Sequence, residues 1–127
     1  MARQEIKGDQ IEDGAITPVQ IEPQEAWINI TYLNSWVSYG SGYAAAGYYK
    51  DSMGIVHLRG LVKNGSSGTA VIGILPVGYR PETRWLTNST SNNLFCRFDI
   101  ATDGSIAPGS GTSTNWVSLY NISFRAA

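Results

Sequence analysis

The chain has 127 residues and a formal net charge of −1; 43% of the residues are hydrophobic and only 15% are charged. This length fits one domain with a short appendage. The near-neutral charge argues against a nucleic-acid-binding protein, which would carry a basic patch or stripe. The single cysteine excludes an intramolecular disulfide and a cysteine-based zinc site. We expect no signal peptide and no membrane insertion, because the first residues are polar and no apolar run is long enough to span a bilayer.

The charges divide the chain into two parts. Residues 1–25 hold six acidic and two basic side chains, a balance of −4. Residues 26–127 hold seven basic and four acidic side chains, a balance of +3. This asymmetry predicts an extended N-terminal arm, residues 1–25, and a C-terminal head domain, residues 26–127.

Isoleucine recurs every five residues along the arm, at Ile6, Ile11, Ile16 and Ile21. A period of five fits neither a helix nor a strand, and Gly14 and Pro18 interrupt both. One isoleucine per five residues cannot build a core within one chain, whereas three chains around an axis can each supply one isoleucine to a layer. We therefore predict an anchoring and trimerisation arm. A disordered acidic arm with accidental periodicity is the alternative.

The head is expected to begin with a strand at residues 27–33, whose alternation turns its two isoleucines and Tyr32 toward the core. Trp36 is expected to lie in a short strand or to act as an aromatic plug. Residues 39–46 are rich in glycine and are expected to form a loop. Residues 47–50 then lead into the central strand.

The central predicted strand covers residues 55–63, which alternate between an apolar and a polar face. The apolar face holds Val56, Leu58, Gly60 and Val62, and the polar face holds His57, Arg59 and Lys63. Residues 64–68 contain two glycines and are expected to turn the chain into a return strand at residues 69–74, forming a hairpin. Residues 75–81 then end the pairing, because each of their prolines removes a hydrogen-bond donor.

Residues 82–87 are expected to form a short strand, and residues 88–93 a polar turn. Residues 94–100 alternate cleanly and are expected to form a further strand with Phe95, Arg97 and Asp99 facing outward. Its four inward side chains are Leu94, Cys96, Phe98 and Ile100.

The last part of the chain is expected to hold a tight turn at residues 103–104, a flexible loop at 108–114 and a closing strand at 116–125. The apolar positions of the closing strand change parity near residues 120–121. Such a slip predicts a bulge or a bend in that strand.

About eight short strands at regular spacing, with no sustained helical stripe, predict an all-β fold. We expect an antiparallel β-sandwich of jelly-roll type, with an eight-stranded barrel as the alternative. Either architecture leaves strand edges that contacts within a trimer would cover.

Two stretches, residues 50–60 (KDSMGIVHLRG) and 75–81 (LPVGYRP), resemble a pattern of the small C-terminal head domains of bacteriophage tail fibres and related virion appendages. Weaker similarity extends to residues 99–104 and 119–125. The resemblance implies a virion structural protein whose homotrimeric head binds a host-surface glycan or another receptor. The polar N-terminus and the single cysteine lead us to expect synthesis in a reducing cytoplasm, which for a virion protein is that of the host. The resemblance also implies that residues 1–25 attach to another virion protein. A capsid or tail decoration protein with a structural role is the alternative.

Residue types that carry catalysis are sparse in the head. His57 is the only histidine and is expected at a surface or interface, and Cys96 alternates with core residues and is expected to be buried. Asp51 and Asp103 sit in turns, where aspartate has a local backbone role. The sequence shows no nucleophile elbow, phosphate loop or metal-ligand spacing. We therefore expect a protein that is not an enzyme, with no cofactor, metal or nucleic acid.

Binding is the remaining function, and the four tryptophans and seven tyrosines of the chain suit sugar recognition, in which aromatic faces meet apolar sugar faces. We expect the strongest cluster at Arg84 and Trp85 with the polar turn, and two others in the glycine-rich loop and around residues 115–116. Packing in the core or between subunits is the alternative for each tryptophan, and Trp27 and Trp36 are expected to be structural. The candidate ligand-binding residues are Arg84, Trp85, Asn88, Asn92, Asn93, Tyr39, Tyr43 and Trp116.

Overall fold

The computed structural model describes residues 24–127, which form two antiparallel β-sheets packed as a sandwich. The predicted all-β sandwich is therefore confirmed, and the two separate sheets decide against a barrel. The smaller sheet has the strand order β1-β3-β4-β10. Its strands are β1 (Ile28–Asn29), β3 (Gly47–Lys50), β4 (Ile55–Arg59) and β10 (Ser123–Arg125). Within the described range, no helix is long and apolar enough to cross a membrane.

The larger sheet has six strands in the order β2-β5-β9-β6-β7-β8. These strands are β2 (Val37–Ser38), β5 (Leu61–Lys63), β6 (Trp85–Ser91), β7 (Leu94–Ile100), β8 (Ile106–Pro108) and β9 (Val117–Ser118). The core lies between the two sheets and is built from alternate residues of both, as a sandwich requires. Its largest fully buried side chains are Trp36, Phe98, Ile72, Leu75, Ile100, Ile106, Leu119 and Ile122.

The predicted central strand is two strands that belong to different sheets. Gly60 separates β4 from β5 with a φ of 122°, a conformation that glycine adopts more easily than other residues. The closing strand is likewise divided, at Tyr120 and Asn121, and the φ of Asn121 is 68°. The predicted bend there is confirmed. The two breaks lie side by side, because the amide of Leu119 donates to the carbonyl of Gly60 at 2.8 Å.

The predicted hairpin between residues 55–63 and 69–74 is wrong. Residues 64–71 contain no strand, and Gly65 lies against the indole of Trp36, leaving no room for a side chain there. The segment then runs beside β8, where Ile72 donates to the carbonyl of Ile106 at 2.9 Å. Its glycines serve close packing rather than a tight turn: Gly65 lies against Trp36, Gly68 against the backbone of Thr112 and Gly73 against Ile30.

Residues 75–81 end this segment, as the prolines predict. The amide of Tyr79 donates to the carbonyl of Pro76 at 3.1 Å, and Gly78 lies within this turn with a φ of 97°. The Nε atom of Arg80 donates to the carbonyl of Leu75 at 2.7 Å. This loop is therefore a compact structural element that connects the segment beside β8 to β6.

The polar turn predicted at residues 88–93 is shorter than expected. Only Asn92 and Asn93 form the turn, with φ angles of 49° and 70°, whereas Asn88 belongs to β6. Positive φ at both central residues is required by the tight turns that fit the twist of a hairpin, and asparagine tolerates it. Leu94 has the predicted parity but is exposed, because β8 pairs only with the far end of β7.

The strand predicted at residues 27–33 is also shorter. Only β1 pairs with a neighbour, and the chain then leaves the sheet, so that Leu33 donates to the carbonyl of Ile72 at 2.9 Å. Ile30 is buried as predicted, whereas Ile28 is exposed at the edge of the sheet. Cys96 is buried as predicted, and this burial raises the pKa of its thiol.

Candidate functional site

A surface groove of about 490 Å³ lies on the outer face of the six-stranded sheet. We call it the tyrosine groove. Four separate segments of the chain contribute to it: the turn after β2, the strand β5, the β6–β7 hairpin and the strand β9 with its flanks. Its lining residues are Tyr39, Tyr43, Leu61, Thr90, Asn93, Trp116, Ser118 and Tyr120.

The register of the sheet explains why these residues meet. Leu61 of β5 pairs with Ser118 of β9, and Ser91 of β6 pairs with Val117. Val117 is buried in the core, so its neighbour Ser118 faces outward, as does Thr90 beside Ser91. The floor of the tyrosine groove is thus formed by Leu61 and by the small hydroxyl-bearing side chains of Thr90 and Ser118, from three adjacent strands.

The turn at residues 39–43 forms one wall of the groove. The backbone amide of Tyr43 donates to the carbonyl of Gly40 at 3.0 Å, and the rings of Tyr39 and Tyr43 meet edge to face at 5.9 Å. The ammonium of Lys63 lies 5.2 Å from the centre of the Tyr39 ring. The hydroxyl of Tyr120 accepts the amide hydrogen of Ala44 at 3.0 Å. These contacts fix the wall while the ring of Tyr43 stays 54% exposed.

The opposite wall is tied to the sheet by Ser91. Its Oγ atom donates to the carbonyl of Trp116 at 2.9 Å and accepts the amide hydrogen of Ser113 at 2.8 Å. The segment that carries Trp116 is therefore bonded to β6. The arrangement offers aromatic faces and hydroxyl groups that need no large movement to bind a ligand.

A polar cleft continues from the groove between β6 and β9. The two strands pair only at Ser91 and Val117, and beyond that point they separate. The Oγ atom of Ser89 bridges the gap by donating to the carbonyl of Ser118 at 2.7 Å. The cleft holds about 320 Å³ and is lined by Thr87, Asn88, Ser89, Thr90, Phe95, Ser118, Tyr120 and Asn121. Three of these residues also line the tyrosine groove, so the two depressions are continuous.

Two arginines share one carboxylate on the same outer face, near β8. The Nε atom of Arg84 lies 2.6 Å from Oδ2 of Asp99, and the Nε atom of Arg97 lies 2.8 Å from Oδ1. We call Arg84 and Arg97, together with the Asp99 carboxylate that they share, the arginine pair. The side chain of Asp99 is only 7% exposed because the guanidinium groups cover it, whereas those of Arg84 and Arg97 are 67% and 64% exposed. The outward parity predicted for Asp99 and Arg97 is confirmed, but Asp99 itself is covered.

The ion pairs at Asp99 predict a dependence of stability on pH. Hydrogen bonds from Arg97 and Arg84 hold the pKa of Asp99 below its ordinary value, so the folded state favours the ionised carboxylate. This stabilisation is present above about pH 4, the unfolded pKa, and is lost as the pH falls through the lower folded pKa. Urea denaturation should show that Asp99→Asn lowers the free energy of unfolding by about 1 kcal/mol at pH 7, with the difference shrinking toward about pH 2. Glu82→Gln, which removes an exposed carboxylate, should follow the wild type; a constant difference for Asp99→Asn at all pH values would contradict the assignment.

The outer face of the four-stranded sheet carries a row of rings in contact with one another and with one guanidinium group. The guanidinium carbon of Arg59 lies 4.3 Å from the centre of the Trp27 ring, Trp27 meets Tyr49 edge to face at 4.5 Å, and Tyr49 stacks on His57 at 4.9 Å. The Nε2 atom of His57 lies 2.8 Å from Oδ2 of Asp51. No other side chain of residues 24–127 is hydrogen-bonded to His57. The imidazole is therefore part of a packed surface row, in agreement with its prediction as a surface histidine.

Asp51 also accepts the amide hydrogens of Met53 and Ile55, at 2.9 and 3.0 Å, which is the local role predicted for it. These bonds and His57 lower the pKa of its carboxyl, with His57 the largest cause. Within residues 24–127, no group of three His, Cys, Asp or Glu side chains is placed to hold a metal ion.

The sandwich is similar in fold to a solved receptor-binding protein, that of Listeria phage PSA (gp15). The TM-score is 0.64 and the sequence identity 21%, over 80% of this chain and 65% of that chain. This chain thus matches less than two thirds of that protein's length. No protein-family model matches the sequence. No curated protein matches it either.

The structure brings together five of the eight residues that the sequence proposes as ligand-binding. Tyr39, Tyr43, Asn93 and Trp116 line the tyrosine groove, and Asn88 lines the cleft beside it. The other three lie apart from the groove: Arg84 belongs to the arginine pair, Asn92 lies at the tip of the hairpin, and Trp85 lies beside Arg125 in a separate depression. The isoleucines of the arm, Ile6, Ile11, Ile16 and Ile21, lie outside the described residues.

Sequence reasoning missed the contribution of Tyr120, which lines both the groove and the cleft. The change of parity at residues 120–121 marks this position, because a residue at a bend is free to leave the regular alternation of its strand. Thr90 and Ser118 were missed because only the register of the sheet places them beside the aromatic rings.

Proposed function

We propose that this protein is a bacteriophage receptor-binding head, which attaches a virion to the host surface by holding a glycan in the tyrosine groove. The observation that carries the proposal is the convergence of four aromatic side chains, Tyr39, Tyr43, Trp116 and Tyr120, on a floor of hydroxyl groups. Aromatic faces bind the apolar faces of sugars, and hydroxyl and amide groups fix their orientation. The likeness in fold to a protein named as the receptor-binding protein of a phage supports the same function.

In this proposal, residues 26–127 are the binding head and residues 1–25 join the head to another virion protein. The isoleucine repeat of the arm would hold three copies on one axis. A homotrimer presents three equivalent grooves, and linked sites convert weak single-site affinity into strong attachment without any new contact. Recognition needs shape, stacking and hydrogen bonds, and no chemical step.

Binding of the full-length protein to host cells and to isolated surface polysaccharide tests this proposal. We expect Tyr43→Ala and Trp116→Ala each to raise the dissociation constant by about tenfold, since each removes one aromatic stacking surface. Asn93→Gly is a milder change, because glycine keeps the positive φ of the turn while removing the amide. The light-scattering mass of each variant confirms that the oligomeric state is unchanged.

Trp85→Ala is the matched control for Trp116→Ala, because Trp85 is an exposed tryptophan outside the groove. Its dissociation constant should equal that of the wild type. A larger loss for Trp85→Ala than for Trp116→Ala would place the binding site elsewhere. A folded trimer that binds no host cell or surface glycan would contradict attachment and leave a decoration protein as the function.

A further inference from the structure

We propose that the arginine pair is an anion-binding subsite, so that the glycan held by this face carries phosphodiester or carboxylate groups. The inference rests on the proposed function and names the class of its ligand. A single carboxylate lies between two guanidinium groups, and the cluster therefore keeps a net positive charge at neutral pH. Both guanidinium groups are mostly exposed, and an anion in solvent can reach them.

Arg84 and Arg97 have N–H groups that are not hydrogen-bonded to Asp99 and can donate to a ligand. A guanidinium carries five N–H donors. Asp99 accepts from the Nε atoms of Arg84 and Arg97 and from one terminal nitrogen of Arg97. In the part of the chain that the structure describes, no other carboxylate forms an ion pair with either arginine. The remaining N–H groups suit the planar, two-point recognition of a phosphate or a carboxylate.

The two arginines are also held in place before a ligand arrives. Asp99 is covered by both guanidinium groups and fixes their orientation from below. The amide of Gly109 donates to the carbonyl of Arg97 at 2.7 Å, and a side chain at position 109 would crowd the Cβ atom of Arg97 at 2.9 Å. Side chains that are already ordered lose less conformational entropy on binding than free ones.

The arginine pair and the tyrosine groove lie on one continuous surface. Arg97 pairs in register with Asn88, and Phe95 pairs with Thr90, which lines the groove. A strand rises about 3.3 Å per residue, so the path from Thr90 along β6 to Arg84 is about 20 Å. That length exceeds a single sugar and fits a polymer whose charged groups and sugar rings contact different parts of the sheet.

The charge of the whole surface agrees with an anionic polymer. Lys63 lies over Tyr39 at one end, and the arginine pair lies at the other. Of the described residues lining the groove, the cleft and the depression at the arginine pair, Asp99 is the only acid. A polyanion therefore meets cations at both ends of the surface.

Titration of the full-length protein with three defined polymers of matched length tests the subsite. The polymers are poly(glycerol phosphate), polygalacturonate and neutral dextran. We expect Arg84→Gln and Arg97→Gln each to weaken binding of an anionic polymer by about tenfold, and to leave dextran unchanged. The loss should be smaller at high salt, because ions screen exposed charges. Comparison of the phosphodiester with the carboxylate polymer identifies which anion the subsite prefers.

Arg125→Gln is the matched control, since it removes an exposed arginine from the four-stranded sheet and should bind all polymers like the wild type. Thermal unfolding of each variant shows that the head is folded. Equal affinity of wild type and both arginine variants for the anionic polymers, or absence of any binding by the wild type, would overturn the subsite. Host-cell binding that is lost in Tyr43→Ala but kept in both arginine variants overturns the subsite alone. Arginine-dependent polymer binding without any host-cell binding overturns the proposed function alone.

Discussion

Replacing Gly60 with alanine is expected to lower the free energy of unfolding by more than about 3 kcal/mol. Two costs combine. The φ of 122° is a conformation that side chains rarely adopt, and a Cβ atom at this position would lie 2.5 Å from the Cα atom of Ala46. The backbone cannot move away, because β4 and β5 are paired on both sides in different sheets. Urea denaturation followed by tryptophan fluorescence measures the loss.

Gly54→Ala separates the two costs. Gly54 has a φ of 84°, but a Cβ atom there would meet nothing within 4 Å. In this variant only the conformational strain destabilises the fold, and we expect it to lower the free energy of unfolding by about 1 kcal/mol. Equal losses of stability in Gly54→Ala and Gly60→Ala would show that the close approach to Ala46 costs no free energy. They would contradict the inference that the backbone at Gly60 cannot move away.

Replacing Trp36 with alanine is expected to destabilise the head by about 3–5 kcal/mol. The side chain is only 1% exposed, and its Nε1 atom donates to the carbonyl of Ala70 at 3.0 Å. Gly65 lies directly against the indole ring. Removing the ring leaves a cavity and an unsatisfied carbonyl at Ala70. Residues 64–71 also lose the ring on which Gly65 packs. Chemical denaturation of Trp36→Ala and its binding to host cells at 25 °C should both show this loss of stability.

Trp36→Phe separates packing from hydrogen bonding, because it keeps most of the ring and removes the N–H donor. We expect a loss of about 1–3 kcal/mol, clearly smaller than that of Trp36→Ala. Trp85→Ala, at a tryptophan that is 41% exposed, should cost less than about 1 kcal/mol. A small effect of Trp36→Ala, comparable to that of Trp85→Ala, would be incompatible with a role as the plug of the core.

The alternation of apolar residues predicts most of the core correctly, but it cannot show a change of sheet at Gly60. Val56, Leu58 and Val62 share one parity and are all buried, although the first two belong to the smaller sheet and Val62 to the larger. The alternation continues across the break at Gly60, so the sequence pattern gives no sign of the change of sheet. At Tyr120 and Asn121 the parity itself changes, and the bend is predictable there.

The false hairpin at residues 64–74 has a different cause. Its glycines match a turn between strands in composition, but they are needed for close contact with distant groups. Gly65 packs on Trp36, and Gly73 lies under Ile30. Contacts between residues so far apart in the sequence leave no periodic pattern, and the local pattern of glycines is the same for both uses.

The chemistry of the candidate site is predictable from composition, whereas its grouping is not. Tyr39, Tyr43 and Trp116 are recognisable in the sequence as aromatic residues in or beside glycine-rich loops. Their convergence depends on β9 lying between β5 and β6, which is a property of the topology. Arg97 and Asp99 share a face by their parity in the sequence, but Arg84 joins them only through the register of β6 and β7.

The position of the last strands has a consequence for how the head is made. β9 lies inside the six-stranded sheet between β5 and β6, and β10 closes an edge of the four-stranded sheet beside β4. Neither sheet is complete until these strands, the last described ones to leave the ribosome, have been synthesised. Earlier strands expose unpaired edges during that time, and pairing between distant segments is slow. The head therefore completes neither sheet until residues 117–125 have been synthesised, and a nascent chain that stalls before that point exposes edges prone to aggregation.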